Sequence, residues 1–451
     1  MSVPRLFRTA VERVCAGGFA FAVFLTAPAA ADSAVAPILD HLAEPELRAL
    51  VDEVLARNPR VAAAEARARA AEQRAPQVKA LPDPTVGVTA FVLTPETRVG
   101  PQEMTLTASQ ALPWRAKLTT RAAAADLEAA ALAAEADAIR LELVTEVRVQ
   151  LLELAFVERL AVIHQSIRDH FAQHEQIARA RYATGSGPGQ GVIQLQAAIT
   201  GVDHQLLELD SRRLVLRAEI NALRDRRPSA PLPALTPPTP EPPSLDAERL
   251  VELALAARPD LRAARRRIER ADSLSDLAGL ARRPDFMVGV TYTLVGTRDD
   301  APGRLQPPPG NGDDILGLQA TVAVPLWRGR IAAGIEEAAA AGQQSEEERR
   351  VLAARLERDV SELAAQIPIR WRQLGLIREV LVVQAQEALD SATSGYVAGA
   401  LNALDLLDAE HVLFDAQAAV ARAETDYLVA RARLEGALGL PLAALDPSET
   451  L

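Results

Sequence analysis

The chain carries one pattern twice. Val86-Gly87-Val88-Thr89 recurs as Val288-Gly289-Val290-Thr291, each after a Pro-Asp pair, Pro82-Asp83 and Pro284-Asp285. Leu55-Ala56 before Pro59 recurs as Leu255-Ala256 before Pro259, Trp114 is answered by Trp327, and Tyr182-x-x-Gly185 by Tyr396-x-x-Gly399. A spacing that stays near ~200 residues over so many markers points to two copies of one long structural unit. Between the strand and Trp markers the spacing widens by about eleven residues, so the second copy has the longer loop, over 296–314.

Hydrophobic residues make up 49% of the chain and aromatics only 4%, with alanine carrying much of the apolar content. That balance fits long helices packed side by side better than an aromatic-rich enzyme core. The N-terminus reads as a secretory leader over 1–31. Arg5, Arg8 and Arg13 precede the short apolar run Cys15–Leu25, and Ala29-Ala30-Ala31 offers a small-residue cleavage site. Cleavage removes Cys15, the only cysteine, which leaves no disulfide or thiol chemistry. The net charge of −11 argues against a nucleic-acid partner. No later stretch is apolar for long enough to be a transmembrane helix.

The expected units are a first repeat over 32–227, a Pro-rich linker over 228–245, a second repeat over 246–440 and a tail over 441–451. Each repeat should run helix, two strands, very long helix, glycine turn, helix. The strands are expected near 85–93 and 103–112, then near 286–295 and 315–324, and the long helices near 117–182 and 330–396. The first helix of each repeat is expected unbroken over 46–79 and 246–280. The long helix over 117–182 would span roughly 100 Å, which suits a tube wall and no compact domain. Val147, Leu151 and Leu154 fall on one side of it, and Leu152, Phe156, Leu160 and Ile163 roughly opposite, as expected of a helix with neighbours on both flanks.

The strands alternate apolar with small or polar residues, in the manner of lipid-facing barrel strands. Trp114 and Trp327 sit where strand gives way to helix and suit membrane-interface anchors. Four strands cannot close a barrel, so the chain must assemble; three copies would supply twelve.

The doubled plan, Tyr-x-x-Gly at each helix hairpin, Leu112-Pro113-Trp114, Pro325-Leu326-Trp327 and Asp405-Leu406-Leu407-Asp408 together resemble the outer-membrane efflux (TolC-like) family. The resemblance covers essentially the whole mature chain. It implies a mainly α fold with a small β part, assembled as a homotrimer: a twelve-stranded barrel in the outer membrane, continued by a twelve-helix periplasmic barrel. It also implies a passive exit duct of a tripartite efflux or type I secretion-like system. The implied partners are a periplasmic adaptor (membrane fusion) protein and an inner-membrane pump, proton-driven and of the resistance-nodulation-division type. Ser109-Gln110-Ala111-Leu112-Pro113-Trp114 is similar to members serving heavy-metal pumps. Asp405 and Asp408 match the positions that ring the periplasmic entrance, and three-residue spacing puts both on one helix face, where stacked anionic rings would favour cations. Tyr182, Gly185, Tyr396 and Gly399 are the expected adaptor-docking hairpin tips. The chain departs from the family at Leu401, where relatives carry a basic residue just past the second turn, and has Gly191 as the first-half equivalent of Asp405, so the polar latch of some relatives is not expected here.

No catalytic constellation is present. The Gly185–Gly191 turn lacks the Lys-Ser/Thr and preceding strand of a phosphate loop. His170 and His174 are four residues apart but have no third metal ligand in view. Neither an enzyme, a cofactor nor a metal site is expected. The alternative of a different class is a soluble periplasmic coiled-coil scaffold or adaptor.

Overall fold

The computed structural model describes residues 35–40, 42, 44–234 and 236–444. The leader expected over 1–31, with Cys15, lies outside the described residues, as does 445–451 of the expected tail. Along the chain the helices are α1 (Ala36–Asp40), α2 (Pro45–Arg57), α3 (Pro59–Glu72), α4 (Arg74–Lys79), α5 (Arg115–Ala183), α6 (Gly189–Leu223), α7 (Ala247–Ala257), α8 (Pro259–Leu280), α9 (Ala301–Leu305), α10 (Arg328–Leu376), α11 (Val382–Val397) and α12 (Ala403–Leu438). The strands are β1 (Thr85–Ala90), β2 (Glu96–Thr97), β3 (Gly100–Leu112), β4 (Asp285–Val295) and β5 (Ile315–Ala323). No described helix is long and apolar enough to cross a membrane.

The 69-residue α5 is the spine, roughly 100 Å long at helical rise. It packs along α6, α8, α3 and α12, while α10 packs on α8, α7 and α12. The first of its expected apolar stripes forms one core: Val147, Leu151 and Leu154 join Leu216 and Ile220 of α6 and Leu50 and Val54 of α2. The second is divided: Leu152 packs against the core around Tyr427 and Leu428 of α12 and Ile163 against that of Phe171 and Phe414, whereas Phe156 joins the first core. On the flanks, Arg140 bridges Glu65 and Asp137, and Arg262 reaches the same Asp137. Such half-exposed pairs contribute at most ~1 kcal/mol each, so the buried stripes hold the wall.

The first helix of each expected repeat is broken, not continuous. Asn58 and Arg258 are extended, with ψ of 125° and 127°, because a following proline excludes the helical conformation. The breaks are used for joining. Asn58 accepts from Arg60 N and donates through Nδ2 to Leu223 O at the end of α6, 2.8 Å. Arg258 likewise donates to Gly436 O near the end of α12, 2.8 Å. Each short helix therefore starts where another ends, and a side chain fills a carbonyl that the ending helix leaves free. The long helix expected over 330–396 is also interrupted, by a π turn at Ile377–Leu381. Arg378 of that turn and Arg159 of α5 both bind Glu424.

The sheet runs β1-β3-β4-β5, all antiparallel, with β2 paired to the start of β3. β1 stops short of residue 93 because Pro95, which has no N–H, opens a hairpin. That β2 hairpin extends β3 back to Gly100, three residues before the expected start. The long 296–314 loop is anchored on it by Gly312 N to Val99 O, 2.8 Å, and is closed on the end of β4 by Val295 N donating to Asp314 Oδ1, 3.0 Å.

Glu53 on α2 clamps the end of α6, accepting from Arg224 and Arg226. Burial raises its pKa, but the two guanidinium groups outweigh burial and leave the carboxyl below its usual range. Since the folded-state value is the depressed one, the clamp's contribution is complete above the ordinary glutamate range, ~4.3, and is lost as pH falls through the lower folded value. Glu53→Gln should therefore lower thermal stability at neutral pH, by ~1–3 kcal/mol per chain, with the gap to wild type closing in acid. Melting curves of both proteins between neutral and acid pH check this.

Candidate functional site: the sheet faces and the helical tip

Alternation along paired strands sorts the sheet into two faces. Register places Val88, Leu106, Tyr292 and Leu316 in one cross-strand row, and Val86, Ala108, Val290 and Leu318 in the next. This face is apolar and open, with Val86 78% and Leu318 86% exposed. The opposite face holds Gly87, Thr107, Thr291 and Gly317 in one row and Thr85, Ser109, Gly289 and Gln319 in another. Its hydroxyls are paired: Thr105 with Thr293 at 3.0 Å and Thr85 with Ser109 at 2.7 Å. Glycine faces threonine for lack of room, because a Cβ on Gly317 would lie 2.5 Å from Thr291 Oγ1. An open apolar face backed by a polar one is the reverse of a soluble sheet and the arrangement that lipid requires. The outer edges of β1 and β5 have no pairing partner among the described residues.

Trp114 and Trp327 lie just before α5 and α10. Trp327 is 76% exposed. Trp114 is tied in more closely, with its ring 6.4 Å from Phe286 and its backbone N–H donating to Asp285. Asp285 also receives the largely buried ammonium of Lys117 at 2.9 Å, which fastens the start of β4 to the start of α5.

At the opposite end, both Tyr-x-x-Gly sequences are helix terminators. In α5, Gly185 N bonds Tyr182 O at 3.0 Å and Ser186 N bonds Arg181 O at 2.9 Å. In α11, Gly399 N bonds Tyr396 O at 3.1 Å and Ala400 N bonds Gly395 O at 2.9 Å. These are Schellman motifs, and they need the left-handed φ of +71° and +74° that Gly185 and Gly399 adopt. The tyrosine supplies the carbonyl that the glycine N–H caps, which explains the spacing. The two rings differ. Tyr182 is 59% exposed and lies against Gly189, whereas Tyr396 is 6% exposed beneath Arg181, whose guanidinium sits 4.4 Å above the ring. Of the two, only Tyr182 presents its ring outward.

Asp405 and Asp408 are both exposed, on the side of α12 away from the buried Leu406 and Leu407. Asp405 has a second task. Its carboxylate accepts from Asn402 N at 3.1 Å while Asn402 Oδ1 accepts from Leu404 N and Asp405 N, a closed capping box. Leu401 lies against Gly395, where a Cβ would meet it at 2.8 Å, and Gly191 faces Ala403; both positions that depart from a polar latch are thus apolar contacts.

One group at the tip escaped the sequence reading. Glu410 is 1% exposed, and His174 Nε2 lies 2.9 Å from its Oε1. The signal was available: Leu406, Leu407, Glu410, Leu413 and Phe414 form one helical stripe, so Glu410 stands where an apolar residue belongs. Among the described residues no cluster of three or more His, Cys, Asp or Glu is placed to hold a metal.

A lipid-compatible sheet carried on helices far longer than a compact core needs defines a membrane-anchored channel wall. The chain belongs to the outer membrane efflux protein family, whose model matches residues 50–223 and 250–440. It is thus an outer-membrane efflux channel protein with a long periplasmic helical extension, and its family is one of channels, not enzymes. The fold is that of the outer membrane protein VceC from Vibrio cholerae, with 22% identity, a TM-score of 0.72, and 88% of this chain and 96% of that one covered. It is also that of the open MtrE outer membrane channel of Neisseria gonorrhoeae, with 18% identity, a TM-score of 0.70, and 88% and 90% covered. The CmeC outer membrane channel of Campylobacter jejuni aligns at 14% identity with a TM-score of 0.71, over 89% of this chain and 86% of that one. A comparison with curated proteins found no match.

Asn402→Ala should remove the capping box and fray the first turn of α12, at a cost of ~1 kcal/mol. Faster amide exchange over 403–407, with the rest of α12 unchanged, is the expected readout.

Proposed function

We propose that three copies of this chain close into one duct: a twelve-stranded outer-membrane barrel continued by a twelve-helix periplasmic tunnel, serving as the exit of a tripartite efflux system. The observation that carries this reading is the four-stranded sheet with an apolar open face and two unpaired outer edges. Lipid offers no hydrogen bonds to those edges, and the edges of neighbouring copies do. The equivalent terminators at Gly185 and Gly399 and the equivalent joints at Asn58 and Arg258 support two structural repeats, over 32–227 and 246–440, joined by the 228–245 linker. The periplasmic adaptor meets the tip at the outward Tyr182 and the Gly185 and Gly399 turns, with Tyr396 supporting them from within. An inner-membrane pump supplies the energy, and the duct conducts passively. Trp114 and Trp327 mark the lipid–water boundary. Asp405 and Asp408, repeated three times round the entrance, give it cation preference.

Leu318→Arg on the apolar face should cost ~2–4 kcal/mol per copy and abolish insertion into the outer membrane. Gln319→Arg on the opposite face of the same strand should insert normally. Membrane fractionation of both checks the facing; equal insertion would refute it. Asp405→Asn with Asp408→Asn removes two charges per copy while leaving an oxygen to cap Asn402. Reversal potentials in planar bilayers should then show weaker cation preference, and an unchanged reversal potential would remove the proposed role of the two aspartates.

A further inference from the structure

A buried carboxylate is costly unless a positive charge or several hydrogen bonds meet it. Glu410 meets neither condition fully. Its Oε1 has His174 Nε2 at 2.9 Å and His170 Nδ1 at 3.7 Å, both from α5. Its Oε2 and His174 Nδ1 have no hydrogen-bond partner. The other charged and titratable groups around it are engaged elsewhere. On α5, Glu175 is held by Arg179 and by Gln196 of α6, and Arg181 lies over the Tyr396 ring. On α6, Asp203 is taken by Arg168. On α11, Tyr396 stands edge-on to His174, 6.4 Å between ring centroids. On α12 itself, His411 Nδ1 bonds Leu407 O and its ring rests on Phe171, while Asp408 is exposed. Among the described residues no Lys or Arg forms an ion pair with Glu410. A proton, on an imidazole or on the carboxylate, would neutralise it.

We propose that Glu410, His174 and His170 form a proton-binding latch across the seam between α5 and α12, closing the helical tip when protonated and releasing it when deprotonated. The proposal rests on the duct reading above and names how its entrance is regulated. The sign follows from linkage. With the seam shut, Glu410 is dry and needs a proton nearby. With the seam parted, the carboxylate is hydrated and needs none. The shut state therefore binds the extra proton, and raising pH favours opening.

The test uses the full chain, purified in detergent and reconstituted in planar bilayers, with the proton as the only ligand varied. In wild type the open fraction should rise on the order of tenfold between pH ~5.5 and ~8, about the worth of one charge-assisted hydrogen bond. Glu410→Gln, which keeps shape and removes the charge, should flatten that dependence, and so should His170→Gln combined with His174→Gln. Amide exchange over 169–175 and 408–414, corrected for the intrinsic effect of pH, should show protection falling with pH in wild type and constant in the variants. Exchange that ignores pH in wild type, or responds equally in Glu410→Gln, overturns the latch whatever the conductance. A response abolished by a chelator also overturns it, by putting a metal ion in the proton's place. Wild type that shows the pH-dependent exchange yet conducts at no pH keeps the latch and counts against the duct.

Discussion

The structure depends on a hydrogen-bonding constraint at two strand edges. Every backbone N–H and C=O in a bilayer must have a partner, and among the described residues the outer edges of β1 and β5 have none. The side chains sharpen the demand. Val86, Val88, Leu316 and Leu318 make the edge strands unfit for water, so the sheet has no soluble resting place. The threonine and glycine rows on the other face fit the lining of an aqueous bore. Pairing edge to edge with further copies, as proposed, would satisfy both requirements together.

The helical part solves a different problem, that of keeping a long wall flush. α5 is a single unbroken helix, while its neighbours are shorter. The gap is closed by abutting α6 with α3 and α12 with α8, each joint sealed by the residue before a proline. Asn58 and Arg258 use unlike side chains for the same purpose, giving a donor to the last carbonyls of the helix that ends there. Head-to-tail abutment also sets the positive end of one helix dipole against the negative end of the other. At the tip the requirement is reversal, and two Schellman turns supply it with one glycine each.

Much of this was legible in the sequence because it rests on short-range rules. Period-two alternation gave the strand faces, and Tyr-x-x-Gly gave the turns, since the spacing is itself the hydrogen-bond pattern. The helix breaks at Pro59 and Pro259 were visible as prolines but were read as lying within continuous helices; the preference of the preceding residue decides the matter. The π turn at Ile377–Leu381 has no comparable local signature. Glu410 was missed for a tertiary reason. Its neighbours in sequence mark it as buried, but only the packing of α12 on α5 shows that His170 and His174 lie opposite. The same packing separates Tyr182 from Tyr396, which look equivalent in sequence and are exposed and buried in the fold.

Counting the protomers in the detergent-solubilised particle by native mass spectrometry tests the central claim most directly. The twelve-stranded duct proposed above, with four strands per chain, predicts a particle of three chains that is lost when detergent is withdrawn. A monodisperse single chain, soluble without detergent, would contradict it.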